Sequence, residues 1–113
     1  MKKSEIQFTI TLDEDNVPER IEWRATDKPN PDEIEETKSL SVSLWDHNQK
    51  NTLRIDLWSK DMPVDEMKKF YIDCVGGIAQ SALTSTGDEY ISNELKEVCE
   101  RLVQHVQKEL SGQ

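Results

Sequence analysis

The hydrophobic period of this chain changes once, between Leu57 and Val64, and that switch limits the folds open to it. Before it, apolar residues recur at every second position. Ile6, Phe8, Ile10 and Leu12 share a face with Gln7, Thr9 and Thr11 opposite, and Ile21, Trp23 and Ala25 form a second segment. Leu40, Val42 and Leu44 alternate with Ser39, Ser41 and Ser43; Leu53, Ile55 and Leu57 alternate with Thr52, Arg54 and Asp56. Strict alternation buries one face and wets the other, as in an antiparallel sheet. After the switch, Val64, Met67, Tyr71, Cys74, Val75, Ile78 and Ala82 recur at helical spacing. A second such stripe runs through Ile91, Leu95, Val98, Cys99, Leu102, Val103 and Val106 and finishes near Leu110. The order is ββββαα. It predicts an α+β fold over residues 1–113, a single two-layer domain. A four-stranded antiparallel sheet carries both C-terminal helices on one face, the apolar partner their stripes need.

Local signals refine this outline. The turn-like DEDNVPE separates the first two strands, and DHNQKN is short enough to close a hairpin between the last two. Pairing Leu44 with Leu53 also pairs Val42 with Ile55 and Leu40 with Leu57, so inward residues meet inward residues. Thr26 to Lys38, with two prolines and five acids, reads as a solvated loop anchored by Ile34. Asp61 or Met62 is expected to cap the first helix, with Pro63 in its first turn. Asp65 and Glu66 face the positive end of its dipole, within reach of Lys69. Thr86-Gly87 ends that helix and Asp88 caps the next.

Charge narrows the function classes. The net charge is −9, and no Lys/Arg cluster is present to displace counterions, which argues against nucleic acid and anionic lipid. No apolar run approaches the ~20 residues of a membrane span, so direct membrane insertion is not expected. Met1-Lys2-Lys3 imitates the start of a signal peptide, but Glu5, Gln7 and Thr9 interrupt any apolar stretch after it. Cys74 and Cys99 lie on helix stripes without CxxC or Cys/His spacing, which fits reduced thiols and a cytoplasmic protein. Leu, Ile, Val and Phe supply only 26 of the 113 residues. Such a core is thin and would gain from self-association into a homo-oligomer.

Catalytic signals are weak. His47 falls in the hairpin turn and His105 on a helix flank; neither has a Ser or Cys at motif spacing, and no phosphate loop or H-E-x-x-H appears. Asp13 to Asn16 lacks the Gly and distal Glu of a calcium loop, and no cofactor or metal is implied. Gly76-Gly77 inside the first helix reads as a close crossing, with a hinge as the alternative. The tryptophans say more. Trp23 has core parity. Trp45 and Trp58 share the wet parity of Arg54 and Asp56, a combination that suits a protein-binding surface. The alternative is local cover by the Thr26–Lys38 loop, and parity alone leaves both open.

The stretch TLRIDLWSKDMPVDEMKKFY, Thr52 to Tyr71, resembles the gliding-motility protein C (GldC) family. SEIQFTITLDEDNVPERIEWRA, Ser4 to Ala25, is similar to the family's opening, and SLSVSLWD, Ser39 to Asp46, to its third strand. Together these cover most of residues 4–78. The matched positions in the first motif are Trp58, Asp61, Met62 and Pro63. The last helix matches only in amphipathic character. The resemblance implies a cytoplasmic accessory of gliding motility whose partners are proteins of the motility or secretion machinery, and it carries over no catalytic residue.

Two classes of mechanism follow. One is binding through Trp45, Trp58, Arg54 and Asp56, as a partner site, a self-interface or both. Its variant is a SecB-like export chaperone for unfolded clients, an analogy of fold alone. The other is a small-molecule site or enzyme with a pocket between the sheet and the first helix, beside Tyr71.

Overall fold

The computed structural model describes residues 1–112 and divides them into two compact units, residues 1–62 and residues 63–112. The first unit holds five strands, β1 (Ile6–Leu12), β2 (Pro18–Ala25), β3 (Glu35–Thr37), β4 (Ser39–Trp45) and β5 (Thr52–Trp58). They form a three-stranded sheet in the order β1-β2-β3 and a separate β4-β5 ribbon, all antiparallel. This corrects the expectation of one four-stranded sheet. It also places strand structure inside the Thr26–Lys38 segment expected to be loop.

The physical reason lies at Lys38, between β3 and β4. Thr37 pairs with Ile21 on β2, whereas Ser39 pairs with Trp58 on β5, so the chain changes partner within two residues. Lys38 turns its carbonyl to the N–H of Ser59 at 2.8 Å, and the Thr37 hydroxyl donates to the Ser39 carbonyl at 3.0 Å. A side chain that takes up a backbone carbonyl competes with the sheet ladder at that point. The expected third strand is therefore two strands with different neighbours.

The β4-β5 register is the one that parity selects: Leu40 with Leu57, Val42 with Ile55, Leu44 with Leu53. Across β1-β2, Phe8 faces Trp23 and Ile10 faces Ile21. Ile21 is fully buried, and Ala25 and Leu40 are the other buried apolar residues of this unit. Both turns are built by aspartates. Asp13 accepts the N–H groups of Asp15 (2.8 Å) and Val17 (3.0 Å), with Asn16 left-handed at φ 64°. Asp46 accepts the N–H of Gln49 at 3.0 Å, with Lys50 at φ 57°. Asp13 thus spends its carboxylate on its own turn and on Lys60 at 3.1 Å.

The second unit is an αα-hairpin of α1 (Val64–Thr86) and α2 (Glu89–Leu110). Gly87 ends α1 in the left-handed conformation at φ 74°, donating to the Leu83 carbonyl, and Asp88 caps α2 by accepting the Ile91 N–H at 3.1 Å. Both ends follow the sequence expectation. The start of α1 differs. Its N-cap is Pro63, with no side-chain cap, because Asp61 instead accepts from the Ser59 hydroxyl at 2.7 Å and from Lys38 at 3.0 Å. Lys69 pairs forward with Asp73 at 2.9 Å and not back to Asp65 or Glu66. Ala79 is the buried residue of α1 and Ser92 that of α2. Cys99 reaches the Ile72 carbonyl at 3.7 Å and Lys68 reaches Glu109 at 2.9 Å. Neither cysteine forms a disulfide. No helix is long and apolar enough to cross a membrane, among the described residues.

Candidate functional site

One face of the β4-β5 ribbon brings the four sequence-predicted residues onto one strip. Along it the cross-strand pairs are Ser39 with Trp58, Ser41 with Asp56, Ser43 with Arg54, and Trp45 with Thr52. Trp45 and Trp58 therefore stand at opposite ends, six residues or about 20 Å apart by strand rise. They do not form one aromatic patch; they bracket a polar centre.

That centre is a closed hydrogen-bond network. The Arg54 guanidinium donates to the Ser43 hydroxyl at 2.6 Å and the Ser41 hydroxyl at 2.7 Å. It also donates to both oxygens of Asp56, at 2.9 and 3.3 Å. The Ser41 hydroxyl in turn donates to Asp56 at 2.6 Å. The Ser41 hydroxyl first, and Arg54 second, hold the Asp56 carboxyl below its ordinary 3.8. Arg54 is thus held flat against the ribbon with most of its donors occupied. The network fixes the shape of the strip and leaves little of Arg54 for an anionic ligand.

The tryptophans are not fixed in this way. Trp45 is 64% exposed and Trp58 49%. Trp58 borders a shallow cleft of about 190 Å³ with Val17, Pro18 and Lys60. The Thr26–Lys38 segment attends to another tryptophan: Lys28 lies over the Trp23 ring at 4.5 Å and pairs with Glu35 at 3.3 Å. Trp23, expected in the core, is half-buried beneath it. On the opposite face of the ribbon Leu44, Leu53 and Ile55 are also about half exposed, so large apolar side chains meet solvent on both sides. A two-stranded ribbon is marginally stable alone in water.

Sequence reasoning missed Ser59, the residue after Trp58. It is buried and polar, with its N–H on Lys38 and its hydroxyl on Asp61. Lys60 next to it donates its N–H to the Pro18 carbonyl at 2.9 Å and its ammonium to Asp13 at 3.1 Å, and forms a looser ion pair with Glu19 at 3.6 Å. The segment after β5 therefore ties β2, Lys38 and the Asp13 turn together. Except for the Ser59 hydroxyl on Asp61, these contacts reach residues more than twenty positions away, so local spacing gives no sign of them.

A family model described as gliding motility-associated protein GldC-like matches residues 18–108. The chain belongs to that family. In this GldC-like chain the match takes in β2 to β5, α1 and nearly all of α2, further than the quoted motifs reach, and it leaves β1 outside. No curated protein and no solved structure matches the chain.

Proposed function

We propose that this chain is a cytoplasmic accessory of gliding motility that works by protein–protein binding and not by catalysis, with Trp45 and Trp58 as its contacts. Membership of a gliding motility-associated family supports the process. The observation that carries the mechanism is two half-exposed indoles at the ends of a polar strip that the Arg54–Asp56–Ser41–Ser43 network holds rigid. Trp is enriched at binding hot spots and, with only two side-chain torsions, loses little entropy on docking. The fitting partner is a folded protein of the motility or secretion machinery with pockets about 20 Å apart.

The test replaces the native copy with a Trp45→Ser/Trp58→Ser variant whose circular dichroism matches the wild type. Loss of gliding, together with loss of a protein that the wild type captures, is the expected result. Unimpaired gliding with identical captured proteins would refute the reading. A second reading, binding of unfolded export clients, is favoured by half-exposed Leu44, Leu53 and Ile55 on the opposite face, whose cross-strand partners are also apolar. It requires a reduced, unfolded protein to bind that apolar face.

A further inference from the structure

β1 is the end strand of its sheet, paired with β2 on one side only. Edge strands expose unpaired N–H and C=O groups, and proteins usually blunt them with charge, proline or a bulge. Ile6-Gln7-Phe8-Thr9-Ile10-Thr11-Leu12 contains no charged residue, proline or glycine, and its one irregularity lies at the very end, between Thr11 and Leu12. The Thr26 N–H donates to the Glu5 carbonyl at 3.0 Å, so Glu5, Gln7 and Thr9 turn their backbone groups toward β2. Ile6, Phe8 and Ile10 then present theirs to the open edge. The same strand leaves Ile6 66%, Phe8 41% and Leu12 49% exposed. An open hydrogen-bonding edge and uncovered apolar side chains coincide on one strand.

We infer that a second copy of this chain covers that edge, β1 pairing antiparallel with β1 about a twofold axis at Thr9. The strand is self-complementary in this register. Ile6 meets Leu12 of the second copy and Phe8 meets Ile10, so each apolar residue faces an apolar residue on the same side of a continuous six-stranded sheet. The outward backbone groups of Phe8 and Ile10 exchange hydrogen bonds, and the two Thr9 side chains meet at the close, non-hydrogen-bonded position on the polar face. The charges flanking the strand are complementary as well. Lys2 and Lys3 precede it and Asp13-Glu14-Asp15 follow it at the turn, so antiparallel pairing brings the basic start of each copy toward the acidic turn of the other. Glu5 comes opposite Asp13, whose carboxylate Lys60 already holds at 3.1 Å. A foreign strand would have to reproduce both the parity and the basic-to-acidic polarity that a second copy supplies by symmetry. The interface is independent of the Trp45/Trp58 strip, so the two readings fail separately.

Thr9 is exposed and its cross-strand neighbour on β2 is Glu22, so a lysine there is compatible with the folded protomer. Across the axis, however, Thr9→Lys opposes two ammonium groups. Light scattering at about 100 μM, above the micromolar range of modest interfaces, should give the wild type at least twice the 13.1 kDa chain mass. Thr9→Lys should halve that mass with unchanged circular dichroism, and mixing Thr9→Lys with Thr9→Asp should restore it. Thr9→Cys should form a disulfide at position 9 between copies under mild oxidation, since Cα atoms in such a pair lie about 4.5 Å apart, within disulfide range. Thr11→Cys, opposite Gln7, should not. A monomeric wild type, a Thr9→Lys protein of wild-type mass, or equal cross-linking from positions 9 and 11 would each overturn the inference.

Discussion

Replacing Gly76 and Gly77 by alanine should stabilise the helical unit, and the structure sets the size of the effect. Both glycines lie inside α1. A Cβ at Gly76 would sit 3.8 Å from the Cys99 sulfur, an ordinary van der Waals contact, and one at Gly77 would meet nothing within 4 Å. The close crossing expected from the sequence is therefore not what requires glycine at either position. With no clash to offset it, the helix-propensity difference remains, about 1 kcal/mol for each residue and about 2 kcal/mol for the pair. Much of that gain comes from restricting the unfolded chain. Urea unfolding followed by helical circular dichroism, at fixed protein concentration, should show the midpoint moving up with the slope unchanged. A lower midpoint for either single variant would refute the reasoning. If the double variant is more stable but no longer supports gliding, the glycines serve motion of the helix, the alternative that spacing alone left standing.

Three further outcomes rest on the contacts described. Ser59→Ala removes a buried hydroxyl from Asp61 and should cost about 1–2 kcal/mol by urea unfolding; a neutral result would mean that the Ser59–Asp61 bond is dispensable. Asp88→Ala should lower helical stability by about 1 kcal/mol, with Asp88→Ser close to wild type, and equal losses would show that the hydroxyl cannot replace the carboxylate as a cap. Acid should destabilise the protein: Asp13, Asp56, Asp61 and Glu109 are all held below their ordinary values by hydrogen bonds, so their stabilisation is complete above the unfolded range near pH 4 and is lost as pH falls through the depressed values. A denaturation midpoint that holds or rises from pH 5 to pH 3 would show that relief of the −9 charge outweighs these bonds.

What could be read from the sequence was whatever depends on side-chain parity. The pairing of Leu40 with Leu57 follows because a one-residue slip would turn every leucine outward. The same logic places Ser41 beside Asp56 and Ser43 beside Arg54, so the neighbours in the polar network were legible once the register was. The helix ends at Gly87 and Asp88 were legible because each depends on one residue's own conformation or reach. β3 was not. Its residues, Glu35 to Thr37, carry no apolar alternation, and Glu36 stands across from Glu22, an arrangement that residue-pair logic disfavours. Lys38 pairs with Glu36 at 3.2 Å and Lys28 with Glu35 at 3.3 Å, while the strand itself forms through backbone groups that composition does not reveal. Asp61 was misread for a related reason. An aspartate just before a helix is a plausible cap, but its partner Lys38 lies 23 residues away.

These contacts also divide the Trp58-Ser59-Lys60-Asp61-Met62-Pro63 run by task. Ser59 closes onto Lys38 and Asp61, Lys60 onto Pro18, Asp13 and Glu19, Met62 donates its N–H to the Ser59 carbonyl, and Pro63 opens α1. Each has an internal job that its chemistry explains. Trp58 differs. It pairs with buried Ser39, borders a shallow cleft and leaves half its surface in water. A smaller β-former such as threonine would hold that strand position at lower solvation cost. On the proposed reading the large ring at Trp58 is kept for a contact outside the chain, as is Trp45 at the other end of the strip. If Trp45→Thr and Trp58→Thr both leave stability within about 0.5 kcal/mol of wild type, as exposed positions should, any loss of gliding they cause has to be a loss of contact with a partner. If instead either one unfolds the protein, the indole has a structural role after all and the binding strip loses that anchor.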